Sequence, residues 1–447
     1  RIFPRSACQR RVQGRLSAGT GAHEQGAEQY GRRERGARKS EARLRVNSHP
    51  IQYYAPFYAH LARDAEIELE VFYLSDASLR GAVDPGFGRT VKWDIDLLAG
   101  YQHRFVGRSY RTVIPAGFFS LVTPELFGAI YRGKFDVVAI HGYAHAANLI
   151  AIAAARLSGA RIFFRCDTNA VLAKKKRQSL AKRLFVKGVF AACHTMLTIG
   201  TRNREFYRWM GVPERKLVQV PFSVDNRRFF AASRLSAAER ADIRGSLGIR
   251  DDRPALLFVS KFMPGKRPDL LVEAAGQLAG EGHGLHLVMA GSGDMEGELR
   301  RLAETFPQLP VSFPGFVNQS EMPRLLAACD VLIFPSTIDQ WGLIVNEAMA
   351  VGMPVVVGAE SGCASDLVED GINGYIVPSN DLDALRQALG RLVIDAELRR
   401  KMAKASLDKI ETWSFRESHD GWREALGLAK CVEDMRSSVP EGGQCAP

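Results

Sequence analysis

Two doubly wound α/β domains facing each other across a cleft are what this sequence predicts. Three observations predict it. From about residue 65 onward, short β-rich runs alternate with helical runs, which implies parallel sheets with helices on both faces. The alternation comes in two series, separated by a polar stretch between about residues 220 and 252. The chain also has 447 residues, a length that suits two domains rather than one.

The first series opens with IELEVFYL (67–74), read as a strand. FDVVAIHG (135–142) is a buried strand that ends in His-Gly. NLIAIAAARLSG (148–159) is a helix closing on glycine, and ARIFFRCDT (160–168) is the next strand. The second series is clearer. PALLFVSKF (254–262) is a strand and RPDLLVEAAGQLAG (267–280) a helix. LHLVMAGSG (285–293) is a strand, followed by the helix MEGELRRLAETF. VSFPGFV (311–317) is a strand, EMPRLLAACD (321–330) a helix, VLIFPS (331–336) a strand, and MPVVVG the last clear strand. The boundary falls near residue 225. The expected layout is a disordered basic leader (1–45), an N-terminal domain (46–225), a C-terminal domain (226–410), a helix (411–430) returning to the N-terminal domain, and a tail (431–447). In open sheets of this kind, ligands bind at the carboxyl ends of the strands, so both sets of strand ends should face the cleft.

Composition bounds the function. Hydrophobic residues make up 46% and charged residues 24%, ordinary values for a soluble globular protein. Residues 1–45 hold twelve Lys/Arg and four Glu, so most of the net charge of +11 lies there. The body of the chain is close to balanced, and nothing in it calls for nucleic acid. The leader lacks an apolar core. It is expected to be a disordered or upstream-translated segment, or a basic tail for an acidic surface, but not a signal peptide. No run of 18 apolar residues predicts a membrane span. The seven cysteines form no C-x-x-C pair, as expected for free thiols in a reducing cytoplasm.

The candidate site centres on STIDQWGLIVNEAMAVGMPVVV, Ser336 to Val357. A buried strand leads into a loop, and a helix can begin near Leu343. Gly342 lets backbone approach a ligand closely. The free N–H groups of Gly342, Leu343 and Ile344 at the helix start would form an anion site. Glu347 lies one turn into the helix and leans back toward its N-terminus. Asp339 lies in the loop ahead. A carboxylate repels phosphate but accepts hydrogen bonds from vicinal hydroxyls. Phosphates together with hydroxyls describe a sugar nucleotide, and Lys261 and Lys266 supply cations for a diphosphate. An exposed Asp or Lys in a loop is by itself usually a solvated charge, so the case rests on their conjunction.

These residues resemble the retaining glycosyltransferases of GT-B fold, family 4. The family pattern E-x-F-G-x-x-x-x-E-A-M-A-x-G-x-P-V-V is matched by Asp339, Trp341-Gly342, Glu347-Ala348-Met349-Ala350, Gly352 and Pro354. Its G-R-L-x-x-x-K-G is matched by Ser260-Lys261-Phe262 with Lys266, its G-x-G by Gly291-Ser292-Gly293, and its F-x-G by Phe313-Pro314-Gly315. HPIQYYAPFYAHLARD (49–64) and DPGFGRTVKWDIDLLAGY (84–101) resemble one branch of these enzymes. Three departures stand out. Asp339 replaces the usual Glu, and Lys261 replaces the commoner Arg, which keeps the charge but loses the bidentate fork. The glycine-rich loop after the first strand is replaced by VNSHPIQYYAP.

The resemblance implies transfer of a sugar from a nucleotide-diphosphate donor to a carbohydrate or lipid-linked acceptor hydroxyl, with retention and without metal or other cofactor. It implies that His141, Asp339 and Glu347 serve the reacting sugar and ribose, and that Lys261, Lys266, Gly342, Leu343 and Ile344 bind the nucleotide sugar. Arg165 and Asp167 end the next strand, where they could meet the acceptor. A strand-end histidine can equally be structural. The basic helix within AKKKRQSLAKRLFVKG (173–188) reads either as a solvated face over a core stripe or as a shallow contact with anionic lipid headgroups on the cytoplasmic side. Rival readings are a sugar-nucleotide epimerase of the same fold, a non-catalytic sugar-nucleotide-binding relative, and a Rossmann dehydrogenase. The last fits poorly, because AGSGDMEGEL spaces its glycines G-x-G-x-x-x-G.

Overall fold

The structure is a computed structural model. It describes residues 42–44, 49–84, 87–107, 117–175, 179–232, 234–249 and 253–430. The expected leader, apart from residues 42–44, and the expected tail lie outside the described residues, as do positions 176–178 of the basic helical segment.

Among the described residues, the first domain holds nine strands: β1 (Ala42–Leu44), β2 (Ile67–Tyr73), β3 (Ala82–Asp84), β4 (Arg89–Val91), β5 (Gln102–Phe105), β6 (Val137–His141), β7 (Arg161–Arg165), β8 (Thr195–Thr198) and β9 (Leu217–Gln219). β1, β2 and β5 pair in parallel in the order β1-β2-β5, and β6-β7-β8-β9 form a second parallel run. β1 lies beside β6, so the chain reverses direction across the sheet between them, the topology of a doubly wound domain. β3 and β4 stand apart as an antiparallel hairpin.

The second domain is a single parallel sheet of β10 (Ala255–Val259), β11 (His286–Ala290), β12 (Val311–Gly315), β13 (Val331–Phe334), β14 (Val355–Gly358) and β15 (Gly374–Val377). Its order, β12-β11-β10-β13-β14-β15, reverses between β10 and β13. Leu256, Leu257, Leu287, Val288, Leu332, Ile333, Val355 and Val356 are wholly buried. Helices cover both faces, which is why these strands read as continuous apolar runs instead of alternating ones. The two domains are those of the GT-B fold.

After β9 the chain crosses to the second domain, whose first helix is Asn226–Ala232. It returns in the helix Phe415–Leu426, which starts at a Ser414/Glu417 capping box. This last helix lies on the first domain. Ser418 Oγ donates to the Pro221 carbonyl at 2.8 Å, and Arg161 Nη2 to the Ala425 carbonyl at 2.7 Å. His419 and Arg423 meet the Asp64 carboxylate at 2.7 and 2.5 Å, in surroundings that leave all three nearly buried.

Candidate active site

The switch point between β10 and β13 opens on the cleft between the domains. Lys261 follows β10, and Lys266 closes the short 3-10 turn Pro264–Lys266 that leads into the helix Pro268–Gly280. The loop after β13 is stitched to that turn. Thr337 N–H donates to the Gly265 carbonyl at 2.9 Å, and the Ser336 and Thr337 hydroxyls donate to the same carbonyl at 3.2 and 3.1 Å. The stitching places Asp339 against Lys266, whose Nζ donates to Oδ2 at 2.6 Å. Phe334 lies beneath, its ring centroid 5.5 Å from the same ammonium.

Helix Leu343–Ala350 then begins at Gly342, with φ +109°. A Cβ there would lie 2.6 Å from the Phe334 ring. Glycine is therefore required by conformation and by space, not only by a ligand's approach. The first N–H groups of the helix have no carbonyl to pair with inside it. All eight helical residues are buried. Trp341 Nε1 donates to Asn346 Oδ1 at 2.9 Å, and Asn346 Nδ2 to the Phe222 carbonyl at 3.1 Å, which ties the helix start to the interdomain crossing. Glu347 is only 2% exposed. Burial pushes its carboxyl up to about 7, while Arg228 and a hydrogen bond from Gln319 pull the other way. Gln319 Oε1 in turn accepts from Arg228 Nη2 at 2.7 Å.

The first domain supplies the facing wall: the segment His49–Tyr53 and the β3–β4 hairpin. Lys261 Nζ donates to both carboxylate oxygens of Asp84, at 2.7 and 2.9 Å, and sits 4.8 Å from the centre of the Phe87 ring. His49 is held near 4 by burial and then by His145, so it stands neutral at pH 7. The enclosed cleft measures about 1320 Å³ including its open mouth. Lys261, Lys266, Asp339, Gly342, Leu343, Ile344 and Glu347 all line it.

His141, Arg165 and Asp167 do not. His141 and Arg165 end β6 and β7 on the first domain and Asp167 follows two residues on, as the sequence places them, and Tyr54 packs against His141 and Arg165. The His141 ring packs edge-on against Tyr54 at 4.7 Å, and burial, then Arg165, hold it well below the usual histidine range. The Arg165 guanidinium lies over the rings of Phe222 at 5.0 Å and Tyr54 at 5.6 Å, and donates to the Val220 carbonyl at 3.3 Å. Arg165 Nε and Asp167 Oδ1 are buried without a hydrogen-bond partner, and burial raises the Asp167 carboxyl. These three form a polar cluster about Tyr54.

Two pairings differ from the sequence-based expectation. Asp339 is expected to face sugar hydroxyls, and in the structure it accepts from Lys266. Lys261 is likewise paired, by an acid from the other domain. Asp84, Arg228 and Gln319 escape sequence reasoning altogether. Asp84 sits in DPGFGR, a segment whose resemblance could be noted but whose chemistry has no local signature. Arg228 and Gln319 lie in NRRFF and VNQSEM, which carry no pattern at all. Among the described residues, no group of three His, Cys, Asp or Glu is arranged to hold a metal ion. The cysteines Cys166, Cys193, Cys329 and Cys363 are buried free thiols. No described helix is long and apolar enough to cross a membrane.

Residues 239–408 match the family model described as glycosyl transferases group 1. The matched stretch takes in most of the second domain. The match spans the turn bearing Lys261 and Lys266 and the helix bearing Glu347. An uncharacterized glycosyltransferase of Methanocaldococcus jannaschii is 30% identical, over 51% of this chain and 57% of its own length. The GDP-mannose-dependent monoacylated alpha-(1-6)-phosphatidylinositol monomannoside mannosyltransferase of Corynebacterium glutamicum is 30% identical, over 44% of this chain and 52% of its own. The chain thus spans about half the length of the curated relatives it matches. Among solved structures, Anabaena HepE in complex with UDP aligns over 86% of this chain and 99% of its own, with a TM-score of 0.66 at 15% identity. At that identity the likeness speaks for the fold, and it covers both domains.

Proposed function

We propose that this protein is a glycosyltransferase that moves a sugar from a nucleotide-diphosphate donor to an acceptor hydroxyl, retaining the anomeric configuration. The observation that supports it best is the convergence, in one cleft, of two lysines, a helix N-terminus and the nearly buried Glu347, all on the group 1 domain. In this reading Lys261 and Lys266 neutralise the departing diphosphate, assisted by the N–H groups of Gly342, Leu343 and Ile344. Glu347 holds the ribose hydroxyls. Asp339 takes hydroxyls of the transferred sugar once phosphate has claimed Lys266.

The acceptor oxygen bonds to the anomeric carbon as the carbon–oxygen bond to the diphosphate breaks on the same face. The acceptor's proton passes to a diphosphate oxygen. The protein contributes positioning and charge stabilisation, and the two ammonium groups do work that a Mg²⁺ ion does elsewhere, so the scheme needs no metal. By resemblance His141 is assigned to the reacting sugar and Arg165 and Asp167 to the acceptor, although none of the three lines the cleft.

A carbohydrate or lipid-linked acceptor of cell-surface polysaccharide or glycolipid synthesis suits the surface of the first domain. The helix Leu180–Ala192 buries Val186, Val189 and Phe190 but leaves Leu180 72%, Leu184 59% and Phe185 41% exposed, beside the exposed Lys182 and Lys187. Such a face suits peripheral contact with an anionic membrane from the cytoplasmic side. Co-sedimentation with phosphatidylglycerol vesicles, weakened by Leu184→Asp with Phe185→Asp, tests this part.

The enzymatic reading is tested by incubation with UDP-, GDP-, dTDP- and ADP-sugars and candidate acceptors, following nucleoside diphosphate release and the anomeric configuration of the product. Release with transfer supports the reading. Conversion of the donor sugar without release would favour an epimerase. Binding without turnover would favour a non-catalytic relative.

A further inference from the structure

The β3–β4 hairpin of the first domain crosses the cleft and is fastened to the second domain at several points. The Ser292 hydroxyl donates to the Phe87 carbonyl at 3.0 Å. Phe87 meets the ring of Phe316 at 5.1 Å, and the Arg89 guanidinium lies 5.3 Å from the same ring. Just beyond β4, Asn318 Nδ2 donates to the Lys92 carbonyl at 2.8 Å, and the Ser320 N–H to Asp94 at 3.1 Å. Held this way, the last residue of β3, Asp84, places both carboxylate oxygens on Lys261 Nζ. The carboxylate is little exposed, and Lys261 about a third.

A carboxylate held by its two oxygens on a strand-end lysine has the charge and the acceptor spacing of part of a phosphate. We propose that Asp84 occupies the position of a donor phosphate oxygen pair on Lys261, and that its displacement from Lys261 sets the affinity for the donor. This rests on the proposed nucleotide-sugar reading and extends it with a residue from the opposite domain. The diphosphate competes with Asp84 for the one ammonium, and repulsion between the two anions on Lys261 favours displacement of the carboxylate. Donor binding and the position of the hairpin become coupled, since the residue displaced belongs to the segment that fastens the domains together.

The coupling has a definite sign. Removing the charge at Asp84 removes a competitor, so the diphosphate should bind more tightly, not less. A partly exposed ion pair of this kind corresponds to about a 2- to 5-fold change in dissociation constant. The effect should be confined to ligands with phosphate and should require Lys261.

The experiment is calorimetric titration of wild type, Asp84→Asn, Lys261→Ala and the double variant with UDP, GDP, dTDP and ADP, and with the matching nucleoside as control. Asp84→Asn should tighten the diphosphate severalfold and leave the nucleoside unchanged. In the Lys261→Ala background the same change should do nothing. Circular dichroism of each variant confirms that it is folded. Equal or weaker diphosphate binding by a folded Asp84→Asn variant would overturn the proposal. So would a gain that persists without Lys261, because the carboxylate would then act through general repulsion. If neither wild type nor Asp84→Asn binds any of the four diphosphates, the donor reading itself fails, and this inference with it.

Discussion

Glu347 offers the sharpest test of how the cleft is built. Its carboxyl is almost wholly buried, and burial raises it from the ordinary 4.5 to about 7. An acid raised on folding favours the folded state while protonated. Its contribution is fully present below the unfolded value, near 4.5, and is lost as pH rises toward 7, because over that window the unfolded chain releases a proton that the folded chain retains. The shift corresponds to about 3 kcal/mol between pH 4 and pH 8. Glu347→Gln keeps the shape and cannot ionise. We expect the variant to be similar to wild type at pH 5 and more stable than it by about 2–3 kcal/mol at pH 8. Urea unfolding at both pH values measures the difference directly. Stability curves for the two proteins that stay parallel from pH 5 to 8 would show that Glu347 ionises freely in the fold, and that the Arg228–Gln319 chain compensates its burial.

Three further outcomes follow from contacts already described. If Lys266 holds the donor phosphate as proposed, Lys266→Ala should weaken nucleoside diphosphate binding by about 1.5–3 kcal/mol, roughly 10- to 150-fold in dissociation constant by calorimetry. Gly342→Ala combines a disfavoured φ with a 2.6 Å approach to Phe334, and should lower stability on the order of 1–3 kcal/mol, read as a fall in melting temperature. Asp64→Ala leaves the nearly buried His419 and Arg423 without their shared acceptor. It should cost about 3 kcal/mol and loosen the helix Phe415–Leu426, seen as faster amide exchange there.

Much of the second domain is legible in the sequence because its chemistry is local. Lys261 and Lys266 fall around one turn, and Asp339, Gly342 and Glu347 fall around one helix start, so spacing alone brings each set to the carboxyl edge of a parallel sheet. The pairings are not legible, because they join distant positions. Asp84 meets Lys261 across 177 residues and Asp339 meets Lys266 across 73. No periodicity encodes such choices; tertiary packing makes them. The first domain shows the same limit. The strand-end rule puts His141 and Arg165 at the right edge of the sheet, yet neither lines the cleft, and both pack against Tyr54, from the turn before helix Ala55–Leu61. Nothing in HPIQYYAP announces that one tyrosine lines the cleft and the next packs on these strand ends.

These pairings carry a consequence for the order of binding. Both lysines are matched by carboxylates, so the site presents little net positive charge, and Asp339 is engaged by Lys266. In the proposed reading a diphosphate takes the lysines because it brings more charge than either carboxylate and also reaches the N–H groups at Gly342–Ile344. Only after that exchange is Asp339 released toward the sugar. Phosphate recognition should therefore precede sugar recognition. We predict that a free monosaccharide of the right kind does not bind wild type on its own. In Lys266→Ala, where Asp339 has lost its partner, hydroxyl recognition no longer waits for phosphate. The free sugar should then bind weakly but measurably, by saturation-transfer NMR, while the nucleotide binds worse. Free-sugar binding to wild type as strong as to Lys266→Ala would show that the Asp339–Lys266 pair does not control access to the carboxylate.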